Sequence, residues 1–202
     1  GNNKAKYFSS ASYHRNDGVV YGTNYQKAQA RVNADFKLLR NLETGVRLNL
    51  AFTDQDNAPT EGCAYENPIV AGMHILPWTP KYDENGDHYL PPSNSGMNPR
   101  ASADWNEKLL RSYRLNGTMY LKWEPVKNLV AETKNSVEAV FSEQRLYYSE
   151  KAGYDNIIQH IDNQIFQLTT SNTINYANVF GGYHSFRALV GQEATRYIQD
   201  QN

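Results

Sequence analysis

The sequence has 202 residues, of which 20 are Lys or Arg and 21 are Asp or Glu, so the formal net charge at pH 7 is −1. A balanced charge lacks the basic excess of a nucleic-acid-binding protein, and we expect no nucleic acid partner. No apolar run reaches the roughly 18 residues of a transmembrane helix, although a β-barrel wall needs only every second residue to be apolar. Cys63 is the only cysteine, which excludes an internal disulfide.

Seven segments alternate between apolar and polar side chains, which predicts β-strands with one apolar and one polar face. The clearest is AQARVNADFKL at residues 28–38, where the alternation is unbroken. In chain order the segments are residues 6–15, 28–38, 44–53, 112–123, 129–142, 164–176 and 185–197. Several exceed the length of about five to six residues that is usual for strands of soluble sheets. In the fifth segment Asn135 interrupts the apolar face and weakens the predicted register.

Short connections alternate with long ones along the chain. The short ones lie at residues 40–41, 124–128 and 181–184, and the long ones at 16–24, 54–108 and 143–163. An up-and-down meander places alternate connections at opposite ends, which is the arrangement of an outer-membrane barrel. We predict an all-β fold, an antiparallel up-and-down meander of about seven long strands forming a segment of a transmembrane β-barrel. A soluble sandwich with its charges in solvent is the alternative.

The two faces of the predicted strands differ in chemistry. We expect one side of the sheet to hold Ala30, Val32, Ala34, Val46, Leu48, Leu50, Leu115, Met119 and Leu121. The other side should hold Arg31, Asp35, Arg47, Arg114 and Lys122. Aromatic residues flank three of the strands, as in the interfacial girdles of a barrel wall: Tyr25 with Phe36, Tyr113 with Trp123, and Phe166 with Tyr176.

The long segment 54–108 is the main candidate for contacts with a ligand or partner, because loops of this length are often functional. Asn67-Pro68 could open a short helix, and DENGD at 83–87 predicts a tight turn because it lacks the glycine and closing glutamate of a calcium loop. Trp78, Tyr82 and Tyr89 could stack on sugar rings or bind a partner. Equally, they could pack the loop onto itself.

No sequence motif indicates catalysis. The five histidines are scattered, and the nucleophile, phosphate-binding and zinc-protease motifs are missing. We therefore expect no enzyme activity, no cofactor and no metal site. A segment of a membrane β-barrel ranks first among the interpretations considered, a soluble carbohydrate-binding module second and an enzyme third.

Several stretches resemble the SusC/RagA family of TonB-dependent outer-membrane transporters from Bacteroidetes. They occur in the family's order and span nearly the whole chain: KYFSSASY at 6–13, RVNAD at 31–35, PKYDENG at 80–86, EPVKNL at 124–129 and ALVGQE at 188–193. The resemblance implies that residues 1–202 are part of the β-barrel region of a much longer protein, with 54–108 as an extracellular loop.

The resemblance also implies partners and a location. Members of the family import glycans, peptides or other nutrients across the outer membrane together with a SusD-like surface lipoprotein. Energy comes from the TonB complex, through a plug and a TonB box that this chain does not contain. The apolar face would then contact membrane lipid. The resemblance assigns no substrate-binding residue.

Overall fold

The computed structural model describes residues 1–2, 4–57, 67–92, 98–152 and 156–202. Its strands are β1 (Ala5–Asp17), β2 (Asn24–Leu39), β3 (Leu42–Asn57), β4 (Glu107–Val126), β5 (Leu129–Tyr148), β6 (Ile157–Phe180) and β7 (His184–Gln201). Between β3 and β4 lie the helices α1 (Pro68–His74) and α2 (Pro99–Trp105), and a short 3-10 helix, Glu150–Ala152, follows β5.

The seven strands form one antiparallel sheet in sequence order, with β1 and β7 at its edges. The predicted all-β meander is therefore confirmed. Each strand is longer than predicted, because the backbone hydrogen bonds to the neighbouring strand continue beyond the segment in which apolar and polar residues alternate. In β3, for example, the ladder continues through Asp54 and Asp56, which pair with Arg111 and Leu109 of β4.

The register confirms the predicted faces. Residues paired across an antiparallel ladder project to the same side. One row crosses six strands and joins Ala30, Leu50, Leu115, Ala139, Phe166 and Ile198. The adjacent row on the other side includes Arg31, Asn49, Asn116 and Glu138. We call these two sides the apolar face and the polar face.

The connections are sorted by length between the two ends of the sheet, as predicted. The short turns at 40–41, 127–128 and 181–183 lie at one end, called the turn end. The other three connections, which follow β1, β3 and β5, leave and rejoin the sheet at the opposite end, called the loop end. Since β3 ends at Asn57 and β4 begins at Glu107, the long connection is slightly shorter than the predicted 54–108. Asn128, with φ of 72°, and Gly181, with φ of 62°, occupy the left-handed region that such tight turns need.

Few side chains of the sheet are fully buried, because no described layer covers either face. Val32 and Leu50 are each 46% exposed and Met119 is 57% exposed, although all three lie in the middle of the apolar face. Most of the fully buried described residues lie instead at the loop end, among them Asn67, Ala71, Asn98, Ala101 and Ser102.

Candidate functional site

Aromatic side chains define two levels on the apolar face. The upper level, near the loop end, is one ladder row that joins Tyr13, Ala28, Phe52, Tyr113 and Phe141. The ring centroids of Phe52 and Tyr113 are 4.9 Å apart. The lower level, near the turn end, contains Phe36, Trp123, Tyr176 and Phe186, and the last two have ring centroids 6.3 Å apart.

One predicted aromatic pair is wrong. Tyr25 faces the polar side, because it pairs with Asn16 and Gln55 whereas Phe36 pairs with Thr44 on the apolar side. Tyr25 and Phe36 are eleven positions apart in β2, and side chains alternate along a strand, so the two cannot share a face. Tyr25 instead lies beside His14, with ring centroids 6.3 Å apart.

The spacing of the two aromatic levels fits a membrane. Tyr113 and Trp123 are ten positions apart in β4. At a rise of about 3.3 Å per residue and a strand tilt of about 40°, ten residues cover about 25 Å along the membrane normal. That height equals the apolar band of outer-membrane barrels, which is about 25 Å tall.

Above the upper aromatic level, the same face becomes charged two residues farther along each strand. The next row joins Arg15, Gln26, Asp54, Arg111, Glu143 and Asp162. Arg111 Nε lies 3.4 Å from Asp54 Oδ1, and Arg145 Nη2 lies 3.1 Å from Glu143 Oε1. Charged pairs that directly adjoin an apolar band are expected where a barrel leaves the hydrocarbon and enters the polar layer.

The polar face carries an interlocked group near the turn end. Arg47 Nη2 lies 2.7 Å from Asp35 Oδ1, and the Tyr120 hydroxyl donates to the same oxygen at 2.7 Å. The Arg47 guanidinium lies 5.5 Å from the centroid of the Tyr120 ring. A Cβ at Gly45 would overlap both Asp35 Oδ1 and the Tyr120 ring, so the glycine makes room for the group. These four residues link β2, β3 and β4.

The loop end is organised by two similar helix starts. Asn67 caps α1 and Asn98 caps α2, each with a side-chain oxygen that accepts two backbone N–H bonds and each followed by proline. The helix after Asn67-Pro68 was predicted, but α2 was not. Its signal was the second Asn-Pro pair, Asn98-Pro99, which repeats the first.

Helix α2 connects the three loops of the loop end. The Arg100 guanidinium lies 3.2 Å from the ring centroid of Tyr21, in the connection between β1 and β2. At its other end, Asn106 Oδ1 accepts a hydrogen bond of 3.1 Å from the backbone N–H of Ser149, in the connection after β5. Asn98 Nδ2 also donates to the carbonyl oxygens of Lys81 at 3.0 Å and Tyr89 at 2.8 Å.

His88 packs at the centre of this loop structure. Its ring stacks on Tyr82 with centroids 5.4 Å apart and meets the edge of Trp105 at 5.1 Å. His88 Nε2 lies 3.1 Å from Asp104 Oδ2, which also accepts from Arg100 Nε at 2.9 Å. Asp83 holds the predicted tight turn, because its Oδ1 accepts from the N–H groups of Asn85 and Asp87.

The three predicted contact residues occupy different environments. Trp78 is 76% exposed and Tyr82 is 44% exposed, so both present surface at the loop end. Tyr89 is partly buried, and its backbone is held by Lys81 and Asn98.

Sequence reasoning did not single out Met73, which is 77% exposed on α1. The pattern Ile69-x-x-x-Met73, two apolar residues four apart on a short helix, was the available signal.

Within the described ranges, no group of three or more His, Cys, Asp or Glu residues could hold a metal ion. The single cysteine, Cys63, lies outside the described residues. Of the helices that the structure describes, none has the length and apolar character to span a membrane.

Comparison with known proteins gives one sequence relative and several structural ones. No family model matches the chain. It is 24% identical, over 202 positions, to TonB-dependent receptor P26 of Formosa agariphila, an alignment that covers 92% of this chain and 19% of the receptor.

In fold, the whole chain superimposes on 24% of a chain of the RagAB peptide transporter, with a TM-score of 0.80 and 19% identity. It superimposes equally well on the RagAB peptide importer in the "closed-closed" state, with a TM-score of 0.82, 19% identity and 24% of that chain covered. The chain thus spans about a fifth of the receptor and about a quarter of the transporter chain. The resemblance to TonB-dependent transporters of the SusC/RagA kind is confirmed, and the fold is that of a segment of such a barrel.

Proposed function

We propose that this chain forms part of the barrel wall of a TonB-dependent nutrient transporter in the outer membrane of a Gram-negative bacterium. The observation that carries the proposal is the exposed apolar face, which is limited by two aromatic levels about 25 Å apart. Above it lies a charged row, two residues beyond Phe52 and Tyr113 along their strands. A contiguous apolar surface of this extent requires a partner, and the height of the surface matches the thickness of the hydrocarbon layer that a barrel wall crosses.

The alternative, a soluble all-β carbohydrate-binding module, requires a second layer over the apolar face. The described parts of the chain supply none, and Leu50 and Met119 remain about half exposed. The relatives in sequence and fold are named a receptor, a transporter and an importer rather than enzymes.

The polar face would line the passage taken by the substrate. A surface that mixes charged and amide side chains suits a hydrated cargo such as a glycan or a peptide. Its charged residues include Arg31, Arg47, Arg114 and Glu138. The similarity to a peptide transporter makes peptides as reasonable a cargo as glycans. A SusD-like lipoprotein would cover the loop end, and coupling to TonB would use parts outside this chain.

Among the loop aromatics, we propose Trp78 as the foremost contact with cargo or lipoprotein, followed by Tyr82. Trp78 presents most of its ring to solvent. Tyr82 offers one ring face because His88 covers the other. Tyr89 would act mainly by holding the loop, since Asn98 binds its carbonyl oxygen.

Fractionation of cells that produce the full-length protein tests the membrane location. We expect the protein in the outer-membrane fraction, released only by detergent, and resistant to unfolding in mild SDS until heated. A monodisperse protein that stays in aqueous buffer without detergent would contradict the proposal.

A further inference from the structure

The two sides of the sheet carry opposite excess charge. Among the residues paired in the described ladders, ten Lys or Arg but only five Asp or Glu project to the polar face. On the other side the balance is reversed, with four Arg and seven Asp or Glu. A passage lined by an excess of one charge attracts solutes of the opposite charge. The polar face therefore favours anionic solutes.

A depression of about 250 Å³ lies in the polar face on β2, β3 and β4. Arg31 is five residues from Phe36 in β2, which places it about 13 Å above the lower aromatic level with the strand geometry used above. The depression thus lies near the middle of the wall's height. We call it the arginine basin, and its polar side chains are Arg31, Asn33, Arg47, Asn49, Asn116 and Thr118.

Two of the arginines near the middle of the polar face are already paired within the sheet. Arg47 Nη2 lies 2.7 Å from Asp35 Oδ1, and Arg114 Nε lies 4.0 Å from Glu138 Oε1. The side chain of Arg31, by contrast, has no ion pair or hydrogen bond to any residue that the structure describes. Its charge is therefore not neutralised by the described part of the chain.

The nearest neighbours of Arg31 on the polar face are all uncharged. Ser10 and Asn49 lie directly across the ladders to β1 and β3, and Gln29 and Asn33 lie two residues away along β2. Gln29 Nε2 donates to Asn49 Oδ1 at 2.7 Å, so the amide N–H groups of Asn49 remain available as donors in the basin. The basin thus offers a full positive charge next to a neutral donor.

This combination matches the chemistry of a carboxylate. The planar guanidinium presents N–H groups in a fork that fits both oxygens of a carboxylate, and such charge-assisted pairs are among the stronger hydrogen bonds in proteins. An adjacent amide donor such as Asn49 Nδ2 adds a further bond to the same group. An ionisable side chain at mid-height of a membrane protein also calls for a functional reason, and Arg31 has no structural partner to supply one.

We propose that the arginine basin binds carboxylate groups of the cargo, so that the transporter takes acidic peptides or glycans in preference to neutral ones of the same size. The proposal rests on the proposed function, because it requires the polar face to line the passage.

Competition between acidic and neutral forms of one oligomer tests the preference. The purified full-length protein in detergent is incubated with oligogalacturonates and, separately, with a tryptic digest of serum albumin. Each mixture contains equal amounts of the free acids and their methyl esters, and mass spectrometry quantifies what is bound. We expect the acids to be enriched over the esters in one mixture, and that mixture identifies the acidic cargo as glycan or peptide.

Substitutions in the basin should abolish this preference. Arg31→Gln should lower the acid-to-ester ratio on the order of tenfold, because a charge-assisted pair is lost. Asn49→Asp keeps the arginine but places an internal carboxylate directly across the ladder, and it should lower the ratio to a similar extent. Arg31→Lys keeps the charge without the fork and should give an intermediate ratio.

Arg187→Gln is the matched control. It removes the same charge from the polar face, but on β7, five strands and about 24 Å of sheet away from β2. At physiological ionic strength this distance exceeds the screening length, so the ratio should change by less than about twofold. A similar loss in the Arg31 and Arg187 variants would show that overall charge, and not the basin, selects the cargo.

The outcomes separate the two proposals. If neither mixture shows a preference for acids, or if the preference survives Arg31→Gln, the carboxylate site is wrong while the transporter function stands. If Arg31→Gln leaves the ratio unchanged but lowers the thermal stability of the full-length protein, the guanidinium pairs with another part of that protein, and the site is again wrong. A protein that does not fractionate with the outer membrane would overturn the proposed function itself.

Discussion

The sheet and the loop structure at its end are ordered by opposite means. In the sheet, backbone ladders fix the strands, and the apolar side chains of the centre, such as Leu50 and Met119, stay exposed. In the loop structure, buried polar side chains fix the backbone, and Asn98, Ser102 and Asn106 are each more than nine-tenths buried. A barrel wall can keep its apolar groups outward because lipid solvates them, whereas a loop in water needs internal hydrogen bonds to hold one shape.

The largest expected effect comes from a charge placed in the middle of the apolar face. Leu48→Arg should destabilise the folded barrel in lipid vesicles by about 3 kcal/mol, the usual cost of a cation near the bilayer midplane. Denaturant titration of the full-length protein in vesicles measures this cost. The adjacent Asn49→Arg lies on the polar face and should change stability little. Equal costs at the two positions would contradict the assignment of the faces.

A second change should affect the loop without the sheet. Asn98→Ala removes the α2 cap and one hydrogen bond to each of the carbonyl oxygens of Lys81 and Tyr89, of which the Lys81 oxygen keeps the N–H of Tyr89. We expect a local loss of about 2 to 3 kcal/mol, measured as faster amide hydrogen exchange at residues 81–90 and 98–106.

The variant Asn98→Ser separates the two roles of this residue. Serine keeps the cap but cannot donate to Lys81 or Tyr89, so about half of the loss should remain. If exchange also accelerates in β3 and β4, the loop and the sheet are not ordered independently, and the contrast between them is wrong.

How far the sequence could predict each region follows from the same contrast. A period of two residues is a local signal, so the strands, the two faces and the sorting of connections by length were predictable from segments such as residues 28–38. The position of Asn135 on the apolar face was equally predictable once its neighbours were assigned. The bounds of the strands were not, because ladder bonds continue past the apolar residues, as at Asp54 and Asp56.

The loop structure depends on contacts between residues far apart in sequence. Nothing local to His88 indicates that Tyr82, Asp104 and Trp105 will surround it. Likewise, the contact of Arg100 with Tyr21 joins two connections that are separated by two whole strands. Only the capping sequence Asn98-Pro99 was readable in advance, and it marks where a helix begins but not what the helix contacts.

A third change tests whether the polar face contributes packing of its own. Gly45→Ala should cost about 2 kcal/mol, because the added methyl group overlaps Asp35 and the Tyr120 ring. Unfolding of the barrel in vesicles measures the loss. In the double variant Gly45→Ala with Tyr120→Ala, the methyl group no longer meets the ring, so the two costs should not add. Strict additivity would show that Tyr120 does not pack over Gly45.

The smallest effect on stability is expected at Trp78, and it distinguishes a ring used for contact from a ring used for packing. Trp78 is 76% exposed, so Trp78→Ala should change loop stability by less than about 0.5 kcal/mol. Tyr82→Ala removes the ring stacked on His88 and should cost about 1 kcal/mol, seen as faster exchange at His88–Leu90.

If Trp78 contacts cargo or lipoprotein, its alanine variant should weaken uptake or lipoprotein binding while exchange and barrel assembly stay normal. Unchanged uptake and binding together with faster exchange would instead assign Trp78 to packing, and Tyr82 would then be the stronger candidate for the contact.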